Sequence, residues 1–273
     1  MDGMQSLLFW AAVTAYALAT AGAIVGLAFS RPSWSRAAHL LGLAGLAPHA
    51  AALGLRWAEV GHGPYNTRYE VLSAQAFLLV AAWALLALRS PGVRSLGPLV
   101  MPAAFLLMGF SVSTFELKKE VPIIFKSWWL VLHIGFAKLF GAATILAGAC
   151  AWAFLWRRAR PAALPALPSQ ARLDLYAHQF LLSAFLFLGV MIAAGALWAN
   201  QSWGRYWGWD PIETTALVTW VAFGVILHFR VLHRWEGPRM AWLTLVALGF
   251  AVVTLYVVAV MVPTIHNSYM VGS

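Results

Sequence analysis

Charge and sulfur are both scarce in this chain. Only 10% of its 273 residues are Asp, Glu, Lys or Arg, and Cys150 is its single cysteine. One thiol excludes an internal disulfide framework and a C-x-x-C redox pair, so the chain cannot carry out dithiol chemistry by itself. The sequence also has no internal repeat and no glycine-rich phosphate loop, which excludes repeat arrays and P-loop nucleotide binding.

Hydrophobic residues take the place of the missing charge. They account for 62% of the chain and raise the mean hydropathy to +0.77, more than a soluble core can bury. A spanning helix needs roughly 20 mostly apolar residues. Runs of this kind occur at 6–29, 37–57, 70–88, 95–115, 128–155, 176–198, 213–232 and 240–262. The sequence therefore predicts an all-α integral membrane protein with eight transmembrane helices.

The distribution of arginine predicts how these helices are oriented. Loops after the first, third, fifth and seventh runs are rich in arginine, whereas the other loops mix basic with acidic residues. Basic loops stay on the cytoplasmic side, so both termini are expected on the outer side. The arginines that orient the helices account for the net charge of +9. We therefore expect no nucleic-acid partner.

The longest internal connector, residues 157–175, has the prolines and arginines of an exposed cytoplasmic linker. It separates five predicted spans, in residues 1–156, from three, in residues 176–273. No loop is long enough for a soluble domain. We therefore expect residues 1–273 to form a single transmembrane domain.

Aromatic residues crowd the predicted outer connection between the sixth and seventh spans, residues 198–211, here called the tryptophan segment. Its large aromatic side chains are Trp198, Trp203, Tyr206, Trp207 and Trp209. An interfacial aromatic belt would explain a lone tryptophan. The density favours a platform for a flat ligand, and Gly204 and Gly208 leave room for close approach.

The tryptophan segment ends in signals for a helix start. Asp210 suits the N-cap, Pro211 the first helical position and Glu213 the acidic position of a capping box. Asp210 is therefore expected to hold the platform in place at the start of the seventh span.

Haem is a flat, largely apolar ligand with a polar edge, and its iron requires axial donors such as imidazole. His133 and His266 fall at the predicted depth of the tryptophan segment. His228 lies roughly 22 Å below the start of its span, and His39 matches that depth from the second span. Each of these histidines could instead be a hydrogen-bonded packing residue, although ionisable groups inside spans are functional candidates.

Five stretches of the chain together resemble one family. The run GALWANQSWGRYWGWDPIET is similar to the WWD signature of haem-handling proteins in cytochrome c biogenesis, in the form found in the CcsA (ResC) family. Four further motifs occur in the order expected of that family: GHGPYNTRYE, WWLVLH, ILHFR and IHNSY. The five motifs span most of the chain, which makes the resemblance more specific than a lone motif would be.

The resemblance implies a haem-handling subunit of a System II cytochrome c synthase in the bacterial inner membrane. Such a subunit moves haem b outward and presents it for thioether attachment to the C-x-x-C-H motif of apocytochrome c. In the family, the histidines matching His133 and His266 flank an external haem, and the one matching His228 serves an intramembrane haem. A ResB (CcsB)-type partner supplies a further intramembrane histidine, and a thiol-reducing system acts indirectly. The second ligand beside His228 is therefore either His39 or a residue of the partner.

Haem propionates need cations, and the outer candidates are Arg205, Arg56, Arg68 and Lys126, each of which could equally be a solvated loop charge. Two other functions remain open at this point. A haem exporter or chaperone, resembling CcmC and HemX-like proteins, would share the aromatic loop and the outer histidines. A membrane b-type electron carrier would place histidine pairs on facing helices at two depths.

Overall fold

The computed structural model describes residues 3–115, 123–160 and 167–264, and every regular element in these ranges is a helix. The principal helices are α1 (Gly3–Ala28), α2 (Pro32–Val60), α3 (Arg68–Arg89), α4 (Pro91–Arg94), α5 (Gly97–Ser113), α6 (Trp128–Ala159), α7 (Gln170–Trp203), α8 (Pro211–Val231), α9 (Pro238–Val252) and α10 (Ala259–Met261). A short 3-10 turn, Ile123–Phe125, precedes α6, and a π-helix, Val253–Val258, joins α9 to α10.

Within the described residues, seven helices are long and apolar enough to cross a membrane. They coincide with seven of the eight predicted runs, which confirms an all-α, multi-pass membrane protein. The remaining run forms α5, an apolar helix of 17 residues with a length of about 25 Å. The eighth span and the sidedness of the termini stay predictions.

The helices pack as two compact units. Helices α1 to α5 belong to the first unit, which also takes in residues 155–160 and 167–172 of the described chain. Residues 123–154 and 173–264 form the second unit, so most of α6 packs with the helices that follow the linker. The expectation of one domain with a linker at 157–175 stays a prediction.

In the first unit, α1 packs along α2, and α3 packs against α5. Small residues allow the close approach. A Cβ on Gly45 would lie 2.7 Å from Cε1 of Tyr16, so only glycine fits where α2 faces that ring. Close packing of small residues is a usual way to join helices in a membrane, where the hydrophobic effect adds little between them.

In the second unit, buried side chains from α6, α7, α8 and α9 form one core. Its members include Phe140, Leu181, Leu188, Phe223, Met240 and Ala247. At its edge, Phe185 and Trp220 stack with ring centroids 5.0 Å apart. This core fixes four helices, among them α7 and α8, which carry the tryptophan segment, and α6 and α8, which carry His133 and His228.

The last long helix changes its winding at the π-helix, residues 253–258. Thr254 lies there, buried, with its hydroxyl 2.7 Å from that of Thr219 and 3.3 Å from the carbonyl oxygen of Thr215, to which it donates. These bonds tie the π-helix to α8. Hydropathy does not reveal the π-helix, because its residues are as apolar as those of the α-helical turns beside it.

Candidate functional site

The tryptophan segment begins as helix and continues as an exposed loop. Helix α7 extends to Trp203, so residues 198–203 are helical rather than part of a loop as predicted. Gly204 ends the helix with φ +72°, a conformation that glycine adopts without strain. The next residue with positive φ is Trp209, at +56°. Its non-glycine side chain is thus held in an uncommon backbone conformation at the end of the loop.

The end of the tryptophan segment is anchored by the predicted capping box. Asp210 accepts the N–H of Ile212 at 3.0 Å, and Glu213 accepts the N–H groups of Gly208 at 2.8 Å and Asp210 at 3.2 Å. Pro211 occupies the first helical position. The structural role predicted for Asp210 is confirmed, and the loop is held at its far end by its own carboxylates.

Trp198 connects the tryptophan segment to the turn before α6. Only 3% of its surface is exposed, and its indole Nε1–H donates to the carbonyl oxygen of Ile124 at 2.9 Å. Its ring meets those of Trp203 at 4.9 Å and Phe125 at 6.0 Å, both edge to face. Trp198 is therefore the buried member of the aromatic group, and Trp203 packs against it.

His133 lies beside Trp198 with a defined tautomer. The Nδ1 atom of His133 is 2.8 Å from the carbonyl oxygen of Met191, and a carbonyl can only accept, so Nδ1 carries the proton. In the neutral imidazole the lone pair is then on Nε2, the arrangement that second-shell hydrogen bonds impose on metal-binding histidines. The half-buried ring lies 6.4 Å from that of Trp198, within 23° of parallel.

Gly195 creates the space for this imidazole, a role that the sequence argument missed. A Cβ on Gly195 would lie 2.6 Å from Nδ1 and 2.9 Å from Cε1 of His133. Any other residue would displace the ring. A glycine inside a helix costs about 1 kcal/mol relative to alanine. The one sign of this role in the sequence was a glycine three residues before Trp198.

The rest of the segment faces outward. Tyr206 is 58% exposed and Trp209 is 71% exposed, and Trp209 meets Trp207 edge to face at 5.9 Å. Arg205 is exposed, and its guanidinium occupies the space beside Gly208, where a Cβ would lie 2.6 Å from Cζ. The missing side chain of Gly208 therefore accommodates Arg205 instead of admitting a ligand. An imidazole, an aromatic surface and a cation thus belong to one end of the second unit.

Comparison with known proteins agrees with these motifs. The cytochrome c assembly protein family matches residues 65–266. The CcsA protein of Synechococcus elongatus is 30% identical over 251 residues, which cover 73% of this chain and 77% of that protein. The chain belongs to the CcsA family.

Other members of the family and one solved structure give the same picture. The CcsA protein of Gloeothece citriformis is 30% identical over 84% of this chain and 86% of its own length. The Chlamydomonas reinhardtii CcsA protein is 32% identical, and the match covers 73% of this chain but 58% of that protein. The solved structure of the cytochrome c haem lyase CcmF has a TM-score of 0.71 over 92% of this chain and 46% of that one. At 18% identity this likeness concerns the fold alone.

The family motif GHGPYNTRYE forms the α2–α3 loop, residues 61–67, and the start of α3. Glu70 is completely buried and pairs with Arg56, Nε to Oε1 at 3.0 Å. Arg56 itself is 3% exposed, so the interpretation of Arg56 as a solvated loop charge is wrong, while its role as a propionate cation stays a prediction. Arg68 is half-buried and Lys126 is exposed. Burial and the nearby Glu70 carboxylate raise the pKa of the Tyr65 phenol, which stays protonated at neutral pH.

Two further histidines are buried inside the first unit. His49 lies between the hydroxyls of Tyr16, 3.1 Å from Nδ1, and Ser73, 3.0 Å from Nε2. His39 donates from Nε2 to the carbonyl oxygen of Ala84 at 3.0 Å and meets Trp83 edge to face at 5.4 Å. These contacts favour the packing alternative for His39, while its role as an inner ligand stays a prediction.

At the other end of α8 from the tryptophan segment, His228 and His233 are both exposed, with ring centroids 5.9 Å apart. The sequence pattern gave no sign that these two histidines lie together. The second outer ligand proposed from sequence, His266, lies outside the described residues.

Proposed function

We propose that this CcsA-family chain handles haem b for cytochrome c biogenesis, as the haem-presenting subunit of a System II synthase. Haem is its substrate, carried outward to the tryptophan segment and offered there to the C-x-x-C-H thiols of apocytochrome c. The observation that carries this proposal is His133, whose Nδ1 donates to Met191 and whose Nε2 therefore has the lone pair. Its relatives, the CcsA proteins, are named for cytochrome c biogenesis, which supports the proposal further.

The residues present fit haem in three respects. His133 offers neutral imidazole, the donor that haem iron most often takes from proteins. The exposed rings of Tyr206 and Trp209 offer an aromatic surface that suits a macrocycle. Arg205 offers a guanidinium for a propionate. In this proposal His266 supplies the second axial imidazole at the same site.

The chain's own contribution is positioning. Trp198 and Gly195 hold the His133 ring in one orientation, and the capping box at Asp210 fixes the end of the loop that carries the exposed aromatic rings. A fixed ligand and a fixed aromatic surface present one edge of the substrate to the thiols, and such orientation lowers a barrier by several kcal/mol. The thiols come from apocytochrome c, because the chain's single cysteine, Cys150, is buried.

A ResB-type membrane partner, supply of reducing equivalents to the thiols and a location in the bacterial inner membrane belong to the same proposal. On this view the arginine-rich end of the second unit is cytoplasmic and the tryptophan segment is external. The orientation rests on the retention of arginine on the cytoplasmic side.

The decisive experiment separates synthase from exporter. The chain is co-expressed with a ResB-type partner and a C-x-x-C-H apocytochrome, and haem that survives denaturation is measured. Haem attached covalently with the wild-type chain, and lost with His133→Ala, supports the proposal. Secreted haem without covalent attachment would instead favour an exporter or chaperone.

A spectroscopic experiment tests the ligand directly. The purified wild-type chain should give a low-spin haem spectrum, and His133→Gly should open a coordination site that added imidazole fills. His178→Gln is the matched control, because it removes another half-buried imidazole of the second unit. If His133→Gly left the spectrum unchanged, His133 would not be an axial ligand.

A further inference from the structure

We propose that Thr219 and Thr254 are positioning residues. By holding the π-helix at residues 253–258, they set the rotation of the helix end that leads toward His266. The inference deepens the proposed function and rests on it, because His266 is the second axial ligand there and lies outside the described residues. It assigns a role to the π-helix and to two hydroxyl groups of the second unit, none of which the proposed function uses.

The winding of the last long helix changes twice. Helix α9 ends at Val252, the π-helix covers Val253–Val258, and α10 follows. The α-helical bonding pattern has returned by Val262, whose N–H donates to the carbonyl oxygen of Val258 at 3.2 Å. A π turn bonds to the fifth residue along instead of the fourth, so it takes in one extra residue. Everything after residue 258 is therefore turned by about 100° relative to a continuous α-helix.

The π-helix carries a cost that its own residues do not offset. Tyr256 lies in it, and the buried hydroxyl of this side chain has no hydrogen-bond partner among the described residues. An unpaired buried hydroxyl is destabilising, and unfavourable local geometry persists only where the surrounding structure holds it. Contacts from outside the segment therefore maintain this winding.

Those contacts come from α8. The hydroxyl oxygens of Thr219 and Thr254 are 2.7 Å apart, and Thr254 donates to the carbonyl oxygen of Thr215 at 3.3 Å. Because Thr254 has a single hydroxyl hydrogen, Thr219 is the donor in the bond between the two side chains. Thr219 is 1% exposed and Thr254 is 2% exposed, so water does not compete for these bonds.

A second buried threonine, earlier in the same helical stretch, bonds differently. Thr244 donates to the carbonyl oxygen of Met240, four residues before it, at 2.8 Å. This is the usual bond of a threonine inside a helix, and it exerts no hold on a neighbouring helix. Thr254 instead bonds across to α8. Its hydroxyl therefore fixes one helix against another at the point where the winding changes.

Loss of the threonine bonds should allow the segment to rewind as an α-helix. Val258 is 7% exposed and Val257 is 40% exposed. A rotation of about 100°, the step of one residue, would bring Val257 toward the core in place of Val258. The two residues are of the same type, so this exchange has little effect on packing. The chain beyond residue 258 would then leave in another direction, and the route toward His266 would change with it.

The first arm of the test measures the winding without haem. Spin labels are attached to cysteines introduced at Met261, which is 76% exposed, and at Val225 of α8, which is 48% exposed. The buried Cys150 is replaced by alanine so that only the introduced cysteines react. Double electron–electron resonance on the full chain in lipid nanodiscs then gives the distance between the labels.

The distance should change only where the bond to α8 is lost. We expect Thr254→Val and Thr219→Val to shift it by up to about 8 Å, the chord of a 100° rotation at the surface of a helix about 11 Å across. Thr254→Ser keeps the hydroxyl and should restore the wild-type distance. Thr244→Val is the matched control, because it removes another buried threonine hydroxyl of the same helical stretch, and it should leave the distance unchanged.

The second arm measures the ligand. Haemin is added to the same variants without labels, and resonance Raman gives its coordination. The wild-type chain should give six-coordinate haem, as the proposed function requires. Thr254→Val and Thr219→Val should give five-coordinate haem that added imidazole makes six-coordinate, while Thr254→Ser and Thr244→Val should keep the wild-type spectrum. A merely structural loss would lower the amount of bound haem without changing its coordination.

Three results would overturn the inference. Unchanged label distances in both valine variants at Thr219 and Thr254 would mean that these hydroxyls do not hold the π-helix. A shifted distance with six-coordinate haem would mean that the winding does not position the ligand. Equal changes in Thr244→Val would reduce the effect to loss of any buried hydroxyl. A wild-type chain that binds no haem would contradict the proposed function and the role toward His266 with it, whereas the label distance would still decide whether the threonines hold the winding.

Discussion

The α2–α3 loop and the tryptophan segment are each followed by a capping glutamate, but the side chains of the first are mostly buried and those of the second are more exposed. Glu70 accepts two backbone N–H groups before α3, and Glu213 accepts two before α8. Yet His62 in the α2–α3 loop is 7% exposed, whereas Trp209 in the tryptophan segment is 71% exposed. A capping carboxylate therefore fixes either kind of loop. Exposure of the remaining side chains decides which loop can meet a ligand.

The first test of this comparison replaces the capping glutamate with glutamine in each loop. Glu70→Gln should lower the free energy of unfolding by about 3 kcal/mol, because the buried Arg56 would lose its close counter-charge and keep only Glu59, at 3.8 Å. Glu213→Gln, the matched control, should cost about 0.5–2 kcal/mol as a weakened cap. Thermal unfolding of the protein in detergent, followed by tryptophan fluorescence, measures both. Equal losses would mean that the two loops are held in the same way.

A second substitution tests ligand binding beside the tryptophan segment by crowding the His133 ring. Gly195→Ala should weaken haem binding by about 1–3 kcal/mol, the usual cost of overpacking, because the new methyl group overlaps the His133 ring. That corresponds to about 5–150-fold in affinity. Gly135→Ala is the control, since a Cβ there meets nothing within 4 Å. Haemin titration of both variants gives the answer, and equal affinities would mean that the His133 ring does not bind haem in this orientation.

Sequence reasoning located the apolar helices and the start of α8 because both depend on neighbours in the chain. Hydropathy over 20 residues predicts a span, and Asp210, Pro211 and Glu213 predict a helix start within four positions. The extension of α7 to residues 170–203 was missed, because hydropathy marks the membrane and a helix can continue beyond it.

Contacts between distant residues were not predictable in the same way. The carbonyl that fixes the His133 tautomer belongs to Met191, 58 positions away, and the burial of Arg56 follows from Glu70 on another helix. Arginine in a predicted outer loop suggested a solvated charge, and only packing revealed the pair. The proximity of His228 and His233 likewise depends on how the chain turns after α8.

A smaller effect is expected from the exposed aromatic surface alone. Trp209→Ala should leave unfolding within about 0.5 kcal/mol of wild type, as for other surface changes. It should weaken haem binding by about 1 kcal/mol, the lower end of a stacking contact, because Trp207 remains. Trp242→Ala is the matched control, since this tryptophan of α9 is 62% exposed but lies outside the tryptophan segment. If both replacements weakened haem binding equally, the effect would come from general surface hydrophobicity.

The smallest effect on haem is expected at His39, where the comparison between buried and displayed side chains is sharpest. His39→Phe keeps an aromatic ring against Trp83 and removes the bond to Ala84, so stability should fall by about 0.5–1.5 kcal/mol. Haem content should not change, because a buried, hydrogen-bonded imidazole is not presented to a ligand. His49→Phe is the control for losing any buried histidine of the first unit. Haem measured with a ResB-type partner present, lost in His39→Phe but kept in His49→Phe, would make His39 the inner ligand after all, and burial would then no longer separate structural histidines from haem-binding ones.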